Sequence, residues 1–281
     1  MADPRSTARA QPYRPVGPVR GYLALAGAWV RAGWTYRTSF LLLLLAQLLV
    51  TGIDFAAVLV MFTHIDTLGG FGLAEVALLY GLSGLALGVA DLVAGNAERL
   101  GRRVRDGTLD AMLVRPLSPL VQVCADQFAL RRLGRVVQAG VVLGWALLAV
   151  DVDWSLPRVL VLLGTVVAGS VIFTAIFVVG SAYQFLAGDA SEAMNAFTYG
   201  GNTLTQYPLT IFPTEVMRGV TFVIPLAFVN WYPVLYVLDA PDPLGLPDWV
   251  RLASPAVALV MAGLAAWAWR AGLRRYRSTG S

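Results

Sequence analysis

The residue types that most often carry catalysis are scarce in this chain. It contains no lysine, one histidine, His64, and one cysteine, Cys124. The phosphate-binding loop of an NTPase, G-x-x-x-x-G-K-[ST], needs a lysine to reach the nucleotide phosphates, so any ATPase site would have to lie on another chain. His64 falls in a short loop after the first apolar run, which excludes the usual Ser-His and Cys-His dyads. One histidine cannot form a multi-histidine metal centre, and a lone cysteine forms no internal disulfide. The sequence therefore predicts that the chain is not an enzyme and binds no metal or cofactor itself.

Carboxylates could still act in pairs or inside the membrane. The basic loops contain no D-D or D-x-x-D spacing; Asp106 and Asp110 come nearest, but a glycine and a predicted helix cap separate them. Ionisable groups within apolar runs are more informative, because they are costly there and often mark pathways. Asp54 and Gln47 lie seven residues apart in the first apolar run, on roughly one helical face. They either line a polar seam at an interface or cavity, or only hydrogen-bond a neighbouring helix.

Apolar runs dominate the chain and determine its fold class. Hydrophobic residues make up 57% and charged residues 14% of the sequence, and the mean hydropathy is +0.67, outside the range of soluble globular chains. A helix that crosses the bilayer needs about 20 apolar residues. We predict an all-α polytopic membrane protein with about six transmembrane helices, near residues 39–62, 73–94, 133–150, 159–183, 220–238 and 250–269. Pro225 should kink the fifth of these spans.

The arginines give the predicted spans an orientation. Of the 21 basic residues, all arginine, only Arg158 and Arg251 fall on the side that we assign to the outside, whose loops are rich in aspartate. The positive-inside rule then predicts that both termini are cytoplasmic. Residues 1–19, rich in proline and arginine, should form a disordered cytoplasmic tail, and residues 278–281 a short second tail. Arginines that border spans contact anionic lipid headgroups, so the basic pI of about 9.5 does not indicate nucleic-acid binding.

Residues 20–37 precede the first span and have an amphipathic pattern. Tyr22, Leu25 and Trp29 fall in one helical sector, and Arg20 and Arg31 lie opposite. This pattern predicts an interfacial helix whose apolar face dips into the headgroup boundary. The alternative is that these residues only extend the first span into the cytosol.

The loop at residues 96–126 is the longest basic connection and contains a predicted short helix. Thr108 could cap this helix, Asp110 would lie in its first turn, and Pro116 would stop it. Leu109, Met112 and Leu113 follow the spacing of one helical face. An exposed apolar knob flanked by arginine could dock into a groove on a motor protein. Alternatively, the helix could rest on lipid and transmit nothing.

The connection at residues 186–219 is long and semi-apolar. It contains Gln206 and Tyr207 before the breaks at Pro208 and Pro213. We expect a helix that packs at the inner mouth of the protein. Other interpretations are a second cytoplasmic contact, or a segment that folds back into the membrane where irregular backbone lines a cavity.

These motifs together resemble those of a known membrane-protein family. The run Gly107 to Asp110, with Leu113 and Arg115-Pro116-Leu117, is followed by Gln206-Tyr207-Pro208, Phe212-Pro213, Ile224-Pro225 and Tyr232-Pro233. In order and in position relative to the spans, this pattern is similar to that of ABC type-2 transporter permeases, specifically bacterial six-span integral membrane subunits. The resemblance extends from about Arg20 to the end of the chain.

The resemblance implies a permease subunit without a nucleotide site of its own. It implies a dimeric membrane core, built from a second copy or a related permease, in the bacterial cytoplasmic membrane, with export more common than import. It also implies an ATP-binding cassette ATPase subunit that holds ATP and Mg and contacts a coupling helix after the second span. The candidate coupling residues are Leu109, Asp110, Met112, Leu113, Arg115 and Pro116. The candidate pathway or interface residues are Gln47, Asp54, Gln206, Tyr207, Pro208 and Pro225.

Two other classes of membrane protein remain open at this point. An ion-gradient-driven secondary transporter commonly has internal repeats with broken helices at matching positions, and we find no convincing repeat between the two halves of the chain. A scaffold subunit without transport activity is the second alternative. The substrate does not follow from the sequence.

Overall fold

The computed structural model describes residues 17–188 and 190–277. Within these ranges the regular structure is helical, with one isolated bridge between Leu68 and Phe71. The predicted tails, residues 1–19 and 278–281, lie outside the described residues except for the start of the first helix. The α-helices are α1 (Pro18–Trp34), α2 (Arg37–Met61), α3 (Leu73–Ala94), α4 (Leu100–Arg105), α5 (Thr108–Leu113), α6 (Pro119–Ala125), α7 (Leu133–Ala149), α8 (Leu156–Ala187), α9 (Ser191–Thr205), α10 (Thr214–Arg218), α11 (Trp231–Val237) and α12 (Ser254–Arg275).

Five helical stretches of the described chain are long and apolar enough to cross a membrane. They are α2, α7 with the turn before it, α8, α12, and α3 extended through a short 3-10 turn and α4 to Arg105. Five of the six predicted spans overlap these stretches, with bounds that differ by four residues or fewer except at two ends: the α3 stretch reaches Arg105 instead of 94, and α12 reaches Arg275 instead of 269. The chain is therefore a polytopic helical membrane protein, as the apolar runs predicted.

α3 lies at the centre of the bundle, between α7 and α8. Small residues on α3 allow α7 to approach closely: a Cβ atom at Gly81 would lie 2.8 Å from the Leu143 backbone, and one at Gly88 would lie 3.3 Å from the Val136 nitrogen. On the other side, Gly169 of α8 packs against α3 at Ala86. This is the packing mode of membrane helices, in which small residues replace the hydrophobic effect as the means of close association.

The two ends of the bundle differ in charge. We call the end that carries residues 99–135 and 270–277 the arginine-rich end, and the end that carries the α2–α3 turn the acidic end. Arg158, near the start of α8, forms an ion pair with Asp239 at the acidic end. Thr210 donates a hydrogen bond of 2.8 Å to the carbonyl of Gly69 in the α2–α3 turn. The Thr210 contact shows that the chain has reached the acidic end after α9. The Asp239 contact shows that it is at the same end after α11.

The predicted fifth span, residues 220–238, is not a continuous helix. A π-helical turn (Gly219–Val223) and a 3-10 turn (Leu226–Val229) flank Pro225, and α11 follows. Proline has no N–H and its ring clashes with the preceding turn, and here it interrupts the helix instead of kinking it. Residues 213–237 begin next to the Thr210 contact and end next to Asp239, both at the acidic end. This return segment therefore enters the bundle and leaves it at the same end, and Arg218 lies on it, away from the arginine-rich end.

The connection between α8 and the return segment is made by α9 instead. α9 starts at the arginine-rich end, runs about 22 Å over its 15 residues, and is continued by residues 206–211 to the Thr210 contact. Sequence reasoning assigned these residues to a connection at the inner mouth because α9 contains few large apolar side chains. Two of its polar residues are hydrogen-bonded within the bundle: the hydroxyl of Ser83 lies 2.9 Å from Asn202 Oδ1 and 2.5 Å from Thr205 Oγ1.

α1 is a separate helix, since a turn at Thr35 and Tyr36 interrupts the helical backbone before α2 begins. It does not simply extend the first span. Of its predicted apolar face, Tyr22 and Leu25 are partly buried against the protein, and the flanking Gly21 and Ala26 are buried. Trp29 and Leu23 on α1 are exposed.

Candidate functional site

Residues 96–126, which we call the 96–126 unit, fold into three short helices at the arginine-rich end. α4 and α5 are joined at Gly107, whose φ of 68° lies in the left-handed region that favours glycine. The predicted short helix is present as α5, six residues long, from Thr108 to Leu113. Gly107, not Thr108, occupies the N-cap position of this helix.

The apolar face of α5 is turned into the protein. Leu109 is fully buried and Met112 is 7% exposed, so these two residues anchor the helix and are not part of an exposed knob. Leu113 is 38% exposed and Val114 is 84% exposed, and Arg115 and Pro116 are exposed beside them. We call Leu113, Val114, Arg115 and Pro116 the tip. Sequence reasoning missed Val114, because it lies just beyond the helical face that the apolar spacing indicated.

Side chains of α6 and α8 brace the 96–126 unit from within. Gln122 donates hydrogen bonds of 2.8 Å to the carbonyls of Met112 and Leu117, one on each side of the tip. The amide of Gln184 on α8 accepts a bond of 2.6 Å from the Gly101 N–H and donates one of 3.0 Å to the Glu98 carbonyl. The whole unit is therefore held against the end of α8.

A further contact joins α5 to the end of α12. The hydroxyl of Tyr276 donates a hydrogen bond of 3.0 Å to the carboxylate of Asp110. The Tyr276 ring packs against Phe185 of α8, and Phe185 packs against Trp269 of α12 with ring centroids 5.3 Å apart. Burial and the Asp110 carboxylate raise the pKa of Tyr276 above its ordinary value, so the phenol stays protonated and able to donate.

α1 touches the other side of the 96–126 unit. A Cβ atom at Gly21 would collide with Cδ1 of Leu117, which directly follows the tip. Tyr22 donates a hydrogen bond of 3.0 Å to the Val93 carbonyl, and burial raises its pKa to about 12. The nearby thiol of Cys124 is buried, which raises its pKa to about 12 and keeps it unreactive.

The membrane-depth candidates from the first span do not share one environment. Gln47 is partly buried and packs against Gly134 of α7. Asp54 is exposed on α2, about 10 Å before the end of that helix at Met61, with no hydrogen-bond or ion-pair partner among the described residues. It lies close enough to the Tyr80 hydroxyl to influence it electrostatically.

A buried ion pair lies between α3 and α7 near the arginine-rich end. The Arg132 Nε atom is 3.1 Å from Asp91 Oδ1, and both side chains are less than 10% exposed. The same carboxylate oxygen accepts a 3.0 Å hydrogen bond from Tyr199 of α9. The two residues are 41 positions apart in the sequence, so no local signal could have identified the pair.

The remaining candidates lie on α9 and the return segment. Pro208 is buried, and Gln206 and Tyr207 are partly buried, near the acidic end of α9. Asn230 holds the return segment in place by donating to the carbonyls of Leu79 and Thr205 at 2.9 and 2.6 Å. Pro225 lines an apolar groove of about 600 Å³ against α12. The structure therefore does not bring all the predicted pathway residues into one site.

Comparison with known proteins identifies the family. Residues 48–280 match the model of a family described as ABC-2 family transporter protein. No curated protein and no solved structure matches the chain. The matched range includes most of α2, the whole 96–126 unit, the return segment and α12. The chain therefore belongs to the ABC-2 transporter family and is a transmembrane permease of an ABC transporter.

Proposed function

We propose that this permease is the membrane subunit of an ABC exporter and is driven by a separate ATP-binding cassette ATPase that docks on the 96–126 unit. The observation that carries the proposal is the tip. It projects from a short helix that is anchored by buried Leu109 and Met112 and braced by Gln122. A rigid projection that exposes apolar side chains is suited to insertion into a groove on a partner.

The chemistry of the tip limits the kind of groove that fits it. Leu113 and Val114 provide apolar contact, and Arg115 adds a positive charge at the edge. Arg102 is exposed on α4 in the same unit. A partner surface with an apolar floor and acidic rim would match this tip, with the charges guiding association and the apolar centre supplying most of the affinity. ATP and Mg would be held by that partner.

The contacts behind the tip provide a route by which motion could spread. Gln184 joins the 96–126 unit to α8, and Tyr276 joins α5 to the end of α12. If nucleotide closes the ATPase, displacement of the tip moves these two long helices as rigid bodies. Nucleotide can drive the change only through different affinities for the two states of the transporter.

A second permease, identical or related, would complete the membrane core. Asp54 supports this proposal, because an exposed carboxylate at membrane depth is unfavourable against lipid tails. A facing subunit or a water-filled pathway between two subunits would remove that cost. The arginine-rich end would face the cytoplasm, with both termini on that side, in the cytoplasmic membrane of a bacterium.

Co-purification and transport assays test the proposal. Val114→Asp should abolish capture of the ATPase subunit expressed with the permease, because it places a charge in the apolar centre of the contact. Leu156→Asp is the matched control, since Leu156 is 72% exposed at the acidic end and should not affect capture. Unaltered capture by Val114→Asp would reject docking at the tip. Transport driven by an ion gradient in ATP-free vesicles would show a secondary transporter instead.

A further inference from the structure

Arg135 of α7 is a cation without an acceptor for one of its buried N–H groups. Its Nη1 atom is buried and makes no hydrogen bond to the described residues. The guanidinium carbon lies 5.1 Å from the centroid of the Tyr199 ring, a cation–π contact that orients the group without neutralising it. The side chain as a whole is only partly buried, so a ligand can reach it.

The nearest acids do not neutralise Arg135. Asp91 is already paired with Arg132 and accepts the hydrogen bond from Tyr199. Glu98 has Arg132 and Arg99 as its cationic neighbours. Among the described residues, no ion pair that includes Arg135 lies within 4.0 Å. The positive charge next to the apolar part of α7 is therefore uncompensated.

A second unsatisfied donor lies one helical turn further along α7. The Nε2 atom of Gln138 is buried and has no hydrogen-bond partner among the described residues. Residues three apart on a helix are neighbours on its surface, so Arg135 and Gln138 present their donors on one face. The Tyr80 hydroxyl is close to both, and the side chain of Gln138 interacts with it, although Nε2 of Gln138 makes no hydrogen bond of full geometry. On α9, four residues before Tyr199, Asn195 has a buried amide oxygen without a partner, and its oxygen and nitrogen are interchangeable assignments.

Donors of this type fit one class of ligand. A guanidinium presents its N–H groups as a planar fork that matches phosphate and carboxylate oxygens. The depth also fits, since Arg135 is the third residue of α7 from the arginine-rich end, where lipid headgroups lie and where basic pockets between membrane helices bind anionic headgroups. We propose that Arg135 and Gln138, with Tyr199 as the platform, form a site for the anionic oxygen group of an amphiphile.

The site itself does not depend on the proposed function, but its role does. The anionic group could belong to a phospholipid that stays bound in the leaflet at the arginine-rich end. It could equally belong to the amphiphile that the transporter carries. The chemistry of recognition is the same for both sources, so binding is tested first, without ATP or a partner subunit.

The binding test uses the full chain in phosphatidylcholine nanodiscs and fluorescent lipid probes. Energy transfer from tryptophan measures the affinity of a phosphatidylglycerol probe and a fatty-acid probe, with a phosphatidylcholine probe as the neutral comparison. Arg135→Gln should weaken binding of the anionic probes about tenfold or more, because a charge-assisted hydrogen bond is lost. The affinity of Arg135→Lys should lie between those of the natural chain and Arg135→Gln, since lysine keeps the charge and lacks the planar fork of N–H donors.

Arg131→Gln is the matched control, because Arg131 is exposed on the turn just before α7. It should change the affinity less than about twofold, as expected for a screened surface charge. An equal loss for Arg131→Gln and Arg135→Gln would show diffuse surface attraction and overturn the proposal. If Arg135→Gln does not fold, Gln138→Leu gives the decision: unchanged affinity in that variant overturns the proposed donor pair.

Reconstitution with the ATPase subunit then separates the two sources. If the phospholipid is cargo, ATP-dependent movement of the phosphatidylglycerol probe between leaflets is lost in Arg135→Gln. If it is a resident lipid, the probe does not move, and the ATPase rate rises with phosphatidylglycerol content in the natural chain but not in the variant. Failure to capture an ATPase would reject the proposed function while leaving the binding result intact.

Discussion

The hydrogen bond between Tyr276 and Asp110 should couple the 96–126 unit to α12. Tyr276→Phe removes only the hydroxyl and keeps the ring packed against Phe185. A hydrogen bond to a charged group is worth about 1.5–3 kcal/mol, and we take about 1 kcal/mol here because the pair is partly exposed. That energy corresponds to roughly a fivefold change in the equilibrium between coupled and uncoupled positions of α5.

The assay is transport per ATP hydrolysed in vesicles that contain the permease and its ATPase. Tyr276→Phe should lower this ratio about fivefold, and Asp110→Asn should lower it similarly, whereas capture of the ATPase stays unchanged. The double variant should be no worse than either single variant, because both remove the same bond. Tyr36→Phe is the control, since Tyr36 is 73% exposed. Additive effects of the two single changes would refute the coupling role.

Three further changes test other parts of the structure. Gly81→Ala should lower thermal stability by about 1–3 kcal/mol, because the new methyl group meets the α7 backbone at 2.8 Å; Gly140→Ala, in open space, should not, and equal melting temperatures would contradict the packing. Gln184→Leu should lower the free energy of unfolding by about 1–3 kcal/mol and loosen the 96–126 unit, since the buried Gly101 N–H loses its acceptor. Unchanged hydrogen exchange at the Gly101 amide would refute this. The raised pKa of Cys124, about 12, keeps the thiol protonated below that pH, so alkylation at pH 8 should be slow until the chain unfolds, and rapid labelling of the native protein would disprove burial.

The apolar runs were sufficient to predict most of the helices. Runs of about 20 apolar residues have few alternatives to a membrane helix, so α2, α3, α7, α8 and α12 were predicted within a few residues. The presence of α5 was also accessible, because Thr108 and Pro116 mark the two ends of a short helix, although the N-cap is Gly107 and not Thr108. These signals depend only on neighbouring residues, so they can be recognised in a single sequence.

Features that depend on tertiary contacts could not be predicted from the sequence. α9 has the composition of a loop. It is stabilised within the bundle because Ser83 bonds the side chain of Asn202 and Asn230 bonds the carbonyl of Thr205, and both donors come from distant parts of the chain. Hydropathy therefore favoured residues 220–238, which the structure divides around Pro225. The spacing of Leu109, Met112 and Leu113 identified a helical face but not its direction. Burial of the first two depends on neighbours that the spacing does not contain.

The first residue of α8 and Gln184, near its other end, lie almost equally far from the contact that Gly169 makes with α3. From Gly169, which packs against Ala86, Gln184 is about 22 Å away in one direction and the first residue, Leu156, about 20 Å away in the other. A stiff rod that pivots at Gly169 behaves as a balanced lever. A lateral displacement of Gln184 would move Arg158 by nearly the same distance in the opposite direction. The ion pair with Asp239 would pass this displacement to the return segment.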